Sequence, residues 1–578
     1  WREPPRYAPL NLENRLLTYQ RYRWFDDRRV AWLDLAAYLD AVGDDPDVSG
    51  LVLDLRDFVA RPSLAWELRQ RLLDLQESGV EIVAVLNRVD IQRYYLASVA
   101  DHIVMDPEGD LVLQGVAAGR SYIADMLERV GLGFQELRYF RYKSAAETGS
   151  RMTMSEGQRE QSQRMVDVIY EEFRRGICEA RGLTIADFDR LVDDAVGLAP
   201  RAAVEAGLVD AVGRRADVRQ WLREQRGAVI APPDPDAGRH AYPEAHWSEP
   251  SRIAVVYAVG GCAMDTGIEG RATGRYLERL ADDPRVAAVV LRADSPGGDP
   301  LPSDLVASGL QRCRDAGKPV IVSQGDVAAS GGYWISMNGD EILTTPLTIT
   351  GSIGVIAAWL HDDGASGYLG INYDGVKRGE HADLLRTVRE PLLGLGVPHR
   401  GLDEKELGLV KEYILEAYDA FVARVAEARG LEEAHVREVA QGRVWMGGDA
   451  IDHDLCDAYG GLSGAIDLAR ARAGLAPDDE GVVTQYPPQP LIDLSGLVGG
   501  GLPLGLPFGL TVGGDEAARD DAWPQPWATF ASSATPSLPG GEAIDWVRWY
   551  VELMAGAPGR PQAVLPPDEL PVGWTVGQ

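Results

Sequence analysis

The chain carries an internal repeat, and this repeat limits the folds open to it more than any other feature. Four segments of the first copy recur in the same order in the second copy: "GLVLDLRDF" (50–58) as "AVVLRADSPGG" (288–298), "GVEIVAVLN" (79–87) as "GKPVIVSQG" (317–325), "YYLASVADHIVMDP" (94–107) as "YWISMNGDEILTTP" (333–346), and "GLVDAVG" (207–213) as "DLCDAYG" (454–460). The first three pairs keep nearly one register. Self-similarity of this kind indicates tandem copies of one folding unit.

Each copy predicts alternating strands and helices. The runs "AAVVLRA" (287–293) and "KPVIVSQ" (318–324) are apolar and β-branched, as expected of strands that are buried on both faces. Between them, "LPSDLVASGLQRCRDAG" (301–317) predicts a helix closed by a glycine. Long amphipathic helices are predicted near 155–181 and 403–429. The fold class is therefore α/β, with a mainly parallel sheet flanked by helices in each repeat.

The length of 578 residues is too great for one hydrophobic core, so several segments are expected. The repeat and the composition predict five of them: an N-terminal lead-in (1–45), a first repeat (46–225), a Pro-rich polar linker (226–250), a second repeat (251–475) and a C-terminal extension rich in Pro, Gly and Ser (476–578). Within the extension, residues 491–511 are apolar but contain too much Gly and Pro for a spanning helix. This stretch predicts a tail that docks on its own protein or on a membrane surface.

Composition excludes several classes of function. The formal charge of −31 and the pI near 4.7 argue against binding nucleic acid or anionic lipid through a basic face. The four cysteines form no CxxC pair, and they predict small buried side chains rather than disulfides. The eight histidines show no ligand spacing, so neither a metal site nor a cofactor is expected.

The two copies differ at two loops, and the differences occur together. The second copy has "DSPGG" at 294–298 and "SGG" at 330–332, whereas the first copy has "RDFVA" at 56–60 and "IQR" at 91–93. Both loops follow the carboxyl ends of predicted strands, where open α/β sheets place their ligands. Because both loops differ between the two copies together, they predict one shared site. A glycine turn that merely contains a serine, the alternative, does not account for this pairing.

The residues of these loops fit an acyl-transfer site. Ser330, at the start of a helix, is the candidate nucleophile, and the backbone N–H groups of Gly298 and Gly331, with Gly297 beside them, are the candidate oxyanion donors. Glycine suits such positions because no Cβ keeps a ligand away from the backbone.

A serine hydroxyl needs a base to attack at neutral pH. Nothing in the sequence marks His361 or His381 as that base, and both are expected to be satisfied surface or core histidines. Lys143, in "RYKSAAE", is a candidate, although a solvated surface role is the ordinary alternative for a lysine. It also differs between the copies, since the aligned position in the second copy falls near Glu380.

Four motifs together resemble the signal peptide peptidase A (SppA) family in its long two-repeat bacterial form: "DSPGGDPLPSD", "KPVIVSQGDVAASGGYWISMNGDEI", "TITGSIGV" and "RYKSAAE". The resemblance implies the caseinolytic protease/crotonase fold and a serine endopeptidase with a Ser-Lys dyad. Ser330 matches the family's nucleophile and Lys143 its lysine. Ser144 and Ser352 are supporting candidates, although Ser352 serves equally well as a turn cap.

The resemblance also implies partners and a location. Members of the family are membrane-anchored, act in the cell envelope on its extracytoplasmic side, degrade cleaved signal peptides, and assemble into ring-shaped oligomers, with a tetramer favoured in the long form. No run of 18 or more apolar residues is present, and the chain opens without Met, so an anchor upstream is an expectation.

The sequence departs from the family pattern at "ETG" (147–149), at "DP" (299–300) and throughout 476–578. Two rival functions therefore stay open: a catalytically silent scaffold that binds apolar peptides at the membrane, and an acyl-CoA enzyme of the crotonase type. Neither rival requires both Ser330 and Lys143.

Overall fold

The computed structural model describes residues 4–20, 28–234, 249–372, 374–385, 387–390, 395–475, 481–488 and 563–564. Its strands in the first repeat are β1 (Arg6–Asn11), β2 (Leu16–Thr18), β3 (Arg29–Ala31), β4 (Val48–Asp54), β5 (Glu81–Asp90), β6 (His102–Val112), β7 (Leu132–Leu137), β8 (Ala211–Val212) and β9 (Val229–Ile230). The helices there are α1 (Trp32–Asp44), α2 (Pro62–Glu77), α3 (Ile91–Ala97), α4 (Ala124–Arg129), α5 (Glu147–Ser150), α6 (Glu156–Arg181), α7 (Ile185–Asp194), α8 (Pro200–Glu205) and α9 (Arg215–Trp221), which continues as a π-helical turn, Leu222–Arg226.

The remaining strands are β10 (Arg252–Val259), β11 (Val286–Ser295), β12 (Gly297–Gly298), β13 (Val320–Ala329), β14 (Glu341–Thr344), β15 (Ile349–Gly351), β16 (Ala357–Asp362), β17 (Thr387–Glu390), β18 (Leu395–Pro398), β19 (Val444–Met446), β20 (Ala458–Tyr459), β21 (Val482–Tyr486) and β22 (Ala563–Val564). The remaining helices are α10 (Gly270–Asp282), α11 (Pro300–Asp315), α12 (Gly331–Ser336), α13 (Ala365–Tyr368), α14 (Glu404–Arg429), α15 (Glu433–Val439), α16 (Gly447–Asp452) and α17 (Leu462–Arg472).

The two repeats build sheets of the same strand order. The first sheet runs β8-β6-β5-β4-β1-β9, and every pairing in it is parallel. The second sheet contains the equivalent path β20-β14-β13-β11-β10-β21, also parallel, and adds β15 beside β13 with an antiparallel neighbour, β19. The predicted α/β class with two tandem, mainly parallel sheets is confirmed.

Two long helices match the predicted amphipathic segments closely. α6 and α14 each have 26 residues. Each begins after a side chain that caps its first turn, Ser155 for α6 and Asp403 for α14, and each ends at a glycine with positive φ, Gly182 and Gly430.

The two sheets share one hydrophobic core, and this sharing positions the site. A single cluster of buried side chains includes Leu51 and Leu86 from the first sheet and Val290 and Ile321 from the second. The repeats are also joined by an antiparallel pair, β7 with β16, which is six residues long. The segment that follows β7 in the first repeat is therefore held against the second repeat.

The sheets extend past the predicted segment boundaries. β1 lies within the predicted lead-in (1–45) but pairs with β4 in the first sheet. β9 lies within the predicted linker (226–250), and β21 lies within the predicted extension (476–578). Parallel pairing with β1 and β10 adds these short strands to the sheet edges. The apolar stretch 491–511 lies outside the described residues.

Candidate active site

Ser330 occupies the turn between β13 and α12, in an unusual backbone conformation. All ten residues of β13 are buried, and Ser330 follows directly with φ 58° and ψ −112°. A positive φ is costly for a residue with a Cβ and persists only where the surroundings impose it. Here Ser330 N donates to the carbonyl of Gly351 at 2.7 Å, and Ser330 O accepts from Trp334 N at 2.9 Å. The turn is thus fixed from both sides.

Lys143 reaches this turn from the other repeat. It lies six residues beyond β7 and is 1% exposed. Its Nζ lies 2.7 Å from Ser330 Oγ, 2.9 Å from the Ser352 carbonyl oxygen and 2.9 Å from Ser352 Oγ. The structure therefore brings Ser330, Lys143 and Ser352 together, although the amine and the Ser330 hydroxyl are 187 positions apart in the chain.

Burial changes the proton affinity of the amine. Complete desolvation lowers the pKa of Lys143 well below its ordinary value, because the charged form loses its hydration. The three groups that bond to Nζ are hydroxyl and carbonyl oxygens, which carry no formal charge to offset that loss. The neutral amine, which has a free lone pair, is thereby favoured.

The glycine loop, β12, lies against the serine turn. Gly298 has φ 150°, and a Cβ at this residue would lie 2.5 Å from the carbonyl oxygen of Cys262. A Cβ on Gly331 would lie 3.1 Å from Gly298 N, so these two backbone segments line one small space. Gly297 N donates to Ser295 Oγ at 3.2 Å. Of the three predicted oxyanion residues, Gly298 and Gly331 are thus adjacent, whereas the N–H of Gly297 has a side-chain acceptor.

Ser144, the other supporting candidate, is buried beside helix α6. Its hydroxyl donates to Gln158 Oε1 and accepts from Gln161 Nε2 at 3.1 Å, and its carbonyl accepts from Arg120 at 2.9 Å. These contacts hold the segment that carries Lys143 onto α6. Ser144 therefore lies next to the candidate base in sequence and is anchored by its own set of partners.

The other polar candidates are placed apart from one another. His361 lies on β16, packed against Gly133, and His381 hydrogen-bonds to Glu406 at 2.8 Å. All four cysteines are free, and all four are buried, as expected of small apolar side chains. Among the described residues, no group of His, Cys, Asp and Glu is arranged to hold a metal ion.

Gly442 is a site residue that the sequence did not reveal. It has φ 77°, and a Cβ there would lie 2.4 Å from the Cβ of Lys143. Its backbone closes the wall beside the lysine: Gly442 N donates to the carbonyl of Ile353 at 2.8 Å, and its carbonyl accepts from Ser352 Oγ at 3.4 Å. One glycine among 64 carries no signal in a single sequence.

A buried charge cluster behind the glycine loop was also missed. Asp294 accepts from Tyr19, in the lead-in, at 2.9 Å and from Arg61, in the first repeat, at 2.6 Å. Asp326 lies 3.6 Å from Arg61 and accepts from Ser63 N at 2.8 Å. Burial, together with the nearby charge of Asp294, raises the pKa of Asp326 to about 6. The cluster fixes the second repeat's loop to the first repeat.

A hydroxyl held against a buried amine, beside glycine amides at the carboxyl edge of a parallel sheet, is an arrangement typical of serine hydrolases. Comparison with known proteins agrees with this class. The model of peptidase family S49 matches residues 74–229 and 312–476. The chain therefore belongs to peptidase family S49, a family of serine-type peptidases, and the predicted SppA resemblance is confirmed.

Two curated relatives illustrate the similarity. Protease 4 from Salmonella typhi is 30% identical over 460 residues, which cover 76% of this chain and 72% of that protein. The chloroplastic serine protease SPPA from Arabidopsis thaliana is 30% identical over 445 residues, which cover 75% of this chain and 64% of that protein. Among solved structures, a ClpP1 mutant from Listeria monocytogenes is 12% identical with a TM-score of 0.24, and the match covers 36% of this chain and 93% of that one.

Proposed function

We propose that this chain is a serine endopeptidase in which Ser330 is the nucleophile and Lys143 the general base. The observation that carries the proposal is the 2.7 Å separation of Lys143 Nζ and Ser330 Oγ in a fully buried site. A Ser-Lys pair needs a neutral amine at working pH, and burial favours that form.

The hydrogen bonds around the amine support this assignment. The Ser352 carbonyl oxygen can only accept, so one N–H of the neutral amine points at it. Ser352 Oγ has its own acceptor in the Gly442 carbonyl, so it receives the second N–H. The lone pair of Nζ is left for the proton of Ser330 Oγ. In this mechanism Ser352 orients the amine of Lys143 towards Ser330.

The reaction then follows the ordinary course of acyl transfer. Ser330 Oγ attacks the peptide carbonyl while its proton passes to Lys143, and the N–H groups of Gly298 and Gly331 stabilise the oxyanion. Lys143 returns the proton to the leaving amine, which departs as the new amino terminus. Water enters, loses a proton to Lys143 and releases the acyl group from Ser330.

We further propose apolar, extended peptides as substrates, including the remnants of cleaved signal peptides, and a place in the bacterial cell envelope with the site on its extracytoplasmic side. Similarity to a protein from Enterococcus faecium that is named as a putative signal peptide peptidase supports the choice of substrate, and the location follows from the resemblance to the SppA family. A homo-oligomer, favoured as a tetramer, and membrane association belong to the same proposal. Among the described helices, none has both the length and the apolar character to cross a membrane.

The test combines active-site labelling with peptide cleavage. Wild type, Ser330→Ala and Lys143→Ala are treated with a fluorophosphonate probe and assayed on a fluorogenic apolar peptide. We expect labelling and cleavage by wild type and by neither variant, and a rate that rises with pH as the lysine loses its proton. Thermal unfolding and gel filtration verify that the variants remain folded and assembled. A folded, unlabelled wild type would support the scaffold instead.

A further inference from the structure

The pairing of the two strands that lead to the site is irregular at Asp294. The backbone pairs on either side of this residue are Ala293 with Gln324 and Ser295 with Ala328. On β13, residues 325–327 therefore lie opposite Asp294 alone, and such a bulge interrupts the backbone ladder. The Asp294 side chain bridges the gap, because its Oδ1 accepts a hydrogen bond from Val327 N at 3.2 Å. One carboxylate thus joins the strand that leads to the glycine loop and the strand that leads to the serine turn.

The other oxygen of this carboxylate is held by the first repeat. Arg61 Nη1 lies 2.6 Å from Asp294 Oδ2, and Arg61 directly precedes helix α2, whose backbone fixes its position. The first turn of α2 also contacts the bulge, since Ser63 N donates to Asp326 Oδ1 at 2.8 Å. Asp294 and Asp326 are both 5% exposed. The start of one helix thus binds two buried carboxylates of the other repeat.

Arg61 supplies the positive charge that this pair of carboxylates needs. The neighbouring guanidinium, that of Arg292, lies 2.8 Å from Glu67 and is neutralised by it. The Tyr19 hydroxyl also donates to Asp294, but it carries no charge. A buried carboxylate that loses its cation is destabilised, and it either binds a proton or turns towards water. Removing the Arg61 charge therefore weakens the bond between Asp294 and β13.

This bond lies at the same distance in sequence from each of the two proposed oxyanion donors. Asp294 precedes Gly298 by four residues, and Val327 precedes Gly331 by four residues. A change in the bond between Asp294 and Val327 therefore alters the separation of the two donor N–H groups. Because the oxyanion exists only in the transition state, a wrong separation lowers the rate and leaves substrate binding nearly unchanged.

We infer that Arg61 is a positioning residue for the proposed reaction: through Asp294 it sets the separation between the glycine loop and the serine turn, and so shapes the oxyanion hole. The inference rests on the proposed function for the identity of the oxyanion donors. The first repeat thereby contributes to both halves of the site, through Lys143 at the nucleophile and through Arg61 behind the oxyanion hole. Arg61 needs no direct contact with the substrate for this role.

The test compares three variants of the full chain on a fluorogenic apolar peptide. Arg61→Met keeps most of the length of the side chain without its charge, and we expect kcat to fall about 100-fold while KM changes by about twofold or less. Arg61→Lys restores a cation and should raise kcat about tenfold or more above Arg61→Met. Arg69→Met is the matched control: Arg69 lies buried on the same helix, donates to Ser98 Oγ and to the Gly176 carbonyl within the first repeat, and should lose stability without losing kcat.

A double variant and an exchange measurement test whether Arg61 acts through Asp294. Arg61→Met combined with Asp294→Asn should lose no more kcat than the larger of the two single losses. In the Ser330→Ala chain, hydrogen–deuterium exchange of the Val327 amide should be faster with Arg61→Met and unchanged with Arg69→Met. This readout does not depend on activity, so failure of the peptidase assignment stays distinguishable. An equal loss of kcat in Arg61→Met and Arg69→Met, or unchanged exchange at Val327 in Arg61→Met, would overturn the inference.

Discussion

The two repeats make the same strand-to-helix turn in opposite ways. In the first repeat, Asp90 is the last residue of β5 and directly precedes α3; it has φ −87°, and its carboxylate accepts from Arg93 N at 2.8 Å, which caps the helix. In the second repeat, Ser330 stands between β13 and α12 with φ 58°, and its side chain makes no cap bond. One turn uses its polar side chain to stabilise its own helix. The other keeps its hydroxyl for a group from outside the repeat.

The neighbouring strands, β4 beside β5 and β11 beside β13, show a similar difference between the repeats in how their charged residues are paired. Asp54 and Arg56, at the end of β4 and just beyond it, pair with each other at 2.8 Å. The aligned positions on β11 hold the opposite charges, Arg292 and Asp294. Arg292 pairs with Glu67 at 2.8 Å, and Asp294 pairs with an arginine of the first repeat. The first copy satisfies its own polar groups, while the second depends on its neighbour. The comparison shows that the candidate site forms where one repeat packs against the other.

The strongest way to break this comparison is to move the serine between the turns. We expect the double variant Ser330→Ala with Asp90→Ser to stay about 10³-fold or more below wild type in kcat/KM, because the relaxed turn lacks a buried amine. Peptide cleavage and probe labelling measure this. Asp90→Ser alone should keep the wild-type rate. Recovery to a tenth of wild type would mean that the turn conformation and Lys143 are dispensable.

A second variant displaces the Lys143 side chain by adding a Cβ at the neighbouring Gly442. Gly442→Ala places a Cβ against Lys143 at a position with positive φ, and we expect kcat to fall about 100-fold as the amine moves from Ser330. Gly430→Ala is the matched control: it also has positive φ, at the end of α14, but a Cβ there meets nothing within 4 Å. Both variants should lose stability because of the positive φ, and Gly442→Ala should lose more, because its Cβ also overlaps Lys143. An equal loss of kcat in both would place the cause in backbone strain.

The buried charge cluster predicts a pH dependence of stability. The folded protein holds a proton on Asp326 up to about pH 6, which the unfolded chain releases near pH 4, so stability falls as pH rises through this window. The variant Asp326→Asn has no carboxyl group at this position and therefore no proton to bind or release. Relative to the variant, wild type should lose about 2–3 kcal/mol of unfolding free energy between pH 4 and pH 7, measured by urea denaturation. If the unfolding free energies of wild type and Asp326→Asn changed equally with pH, the raised pKa of Asp326 would be contradicted.

The smallest expected effect is a difference between the two turns in their contribution to the free energy of unfolding. Asp90→Ala should lower the free energy of unfolding by about 1 kcal/mol, the usual cost of removing a helix cap, without changing the cleavage rate. Ser330→Ala removes no cap bond and should leave α12 as stable as before. Thermal and urea unfolding of the two variants provide the comparison. A larger loss for Ser330→Ala than for Asp90→Ala would show that the serine has a structural role.

The sequence revealed the parts of the molecule that repeat or that differ between repeats. The strands, the two long helices and the family followed from self-similarity and motif order, and Ser330 and Lys143 stood out because the other copy lacks them. Gly442 and the Asp294–Asp326 cluster did not stand out, because their importance lies in contacts between residues far apart in the chain. The antiparallel pairing of β22 with β12 is equally long-range and brings together segments with no common pattern.

The wall that Gly442 forms beside Lys143 also sets an order of events during synthesis. The amine is translated first, the Ser330 hydroxyl 187 residues later, and the glycine that closes the lysine's surroundings later still. Under the proposed mechanism, a nascent chain has no assembled catalytic pair until most of the second repeat has left the ribosome. The cell that makes this chain is therefore protected from the catalytic pair until that point of translation.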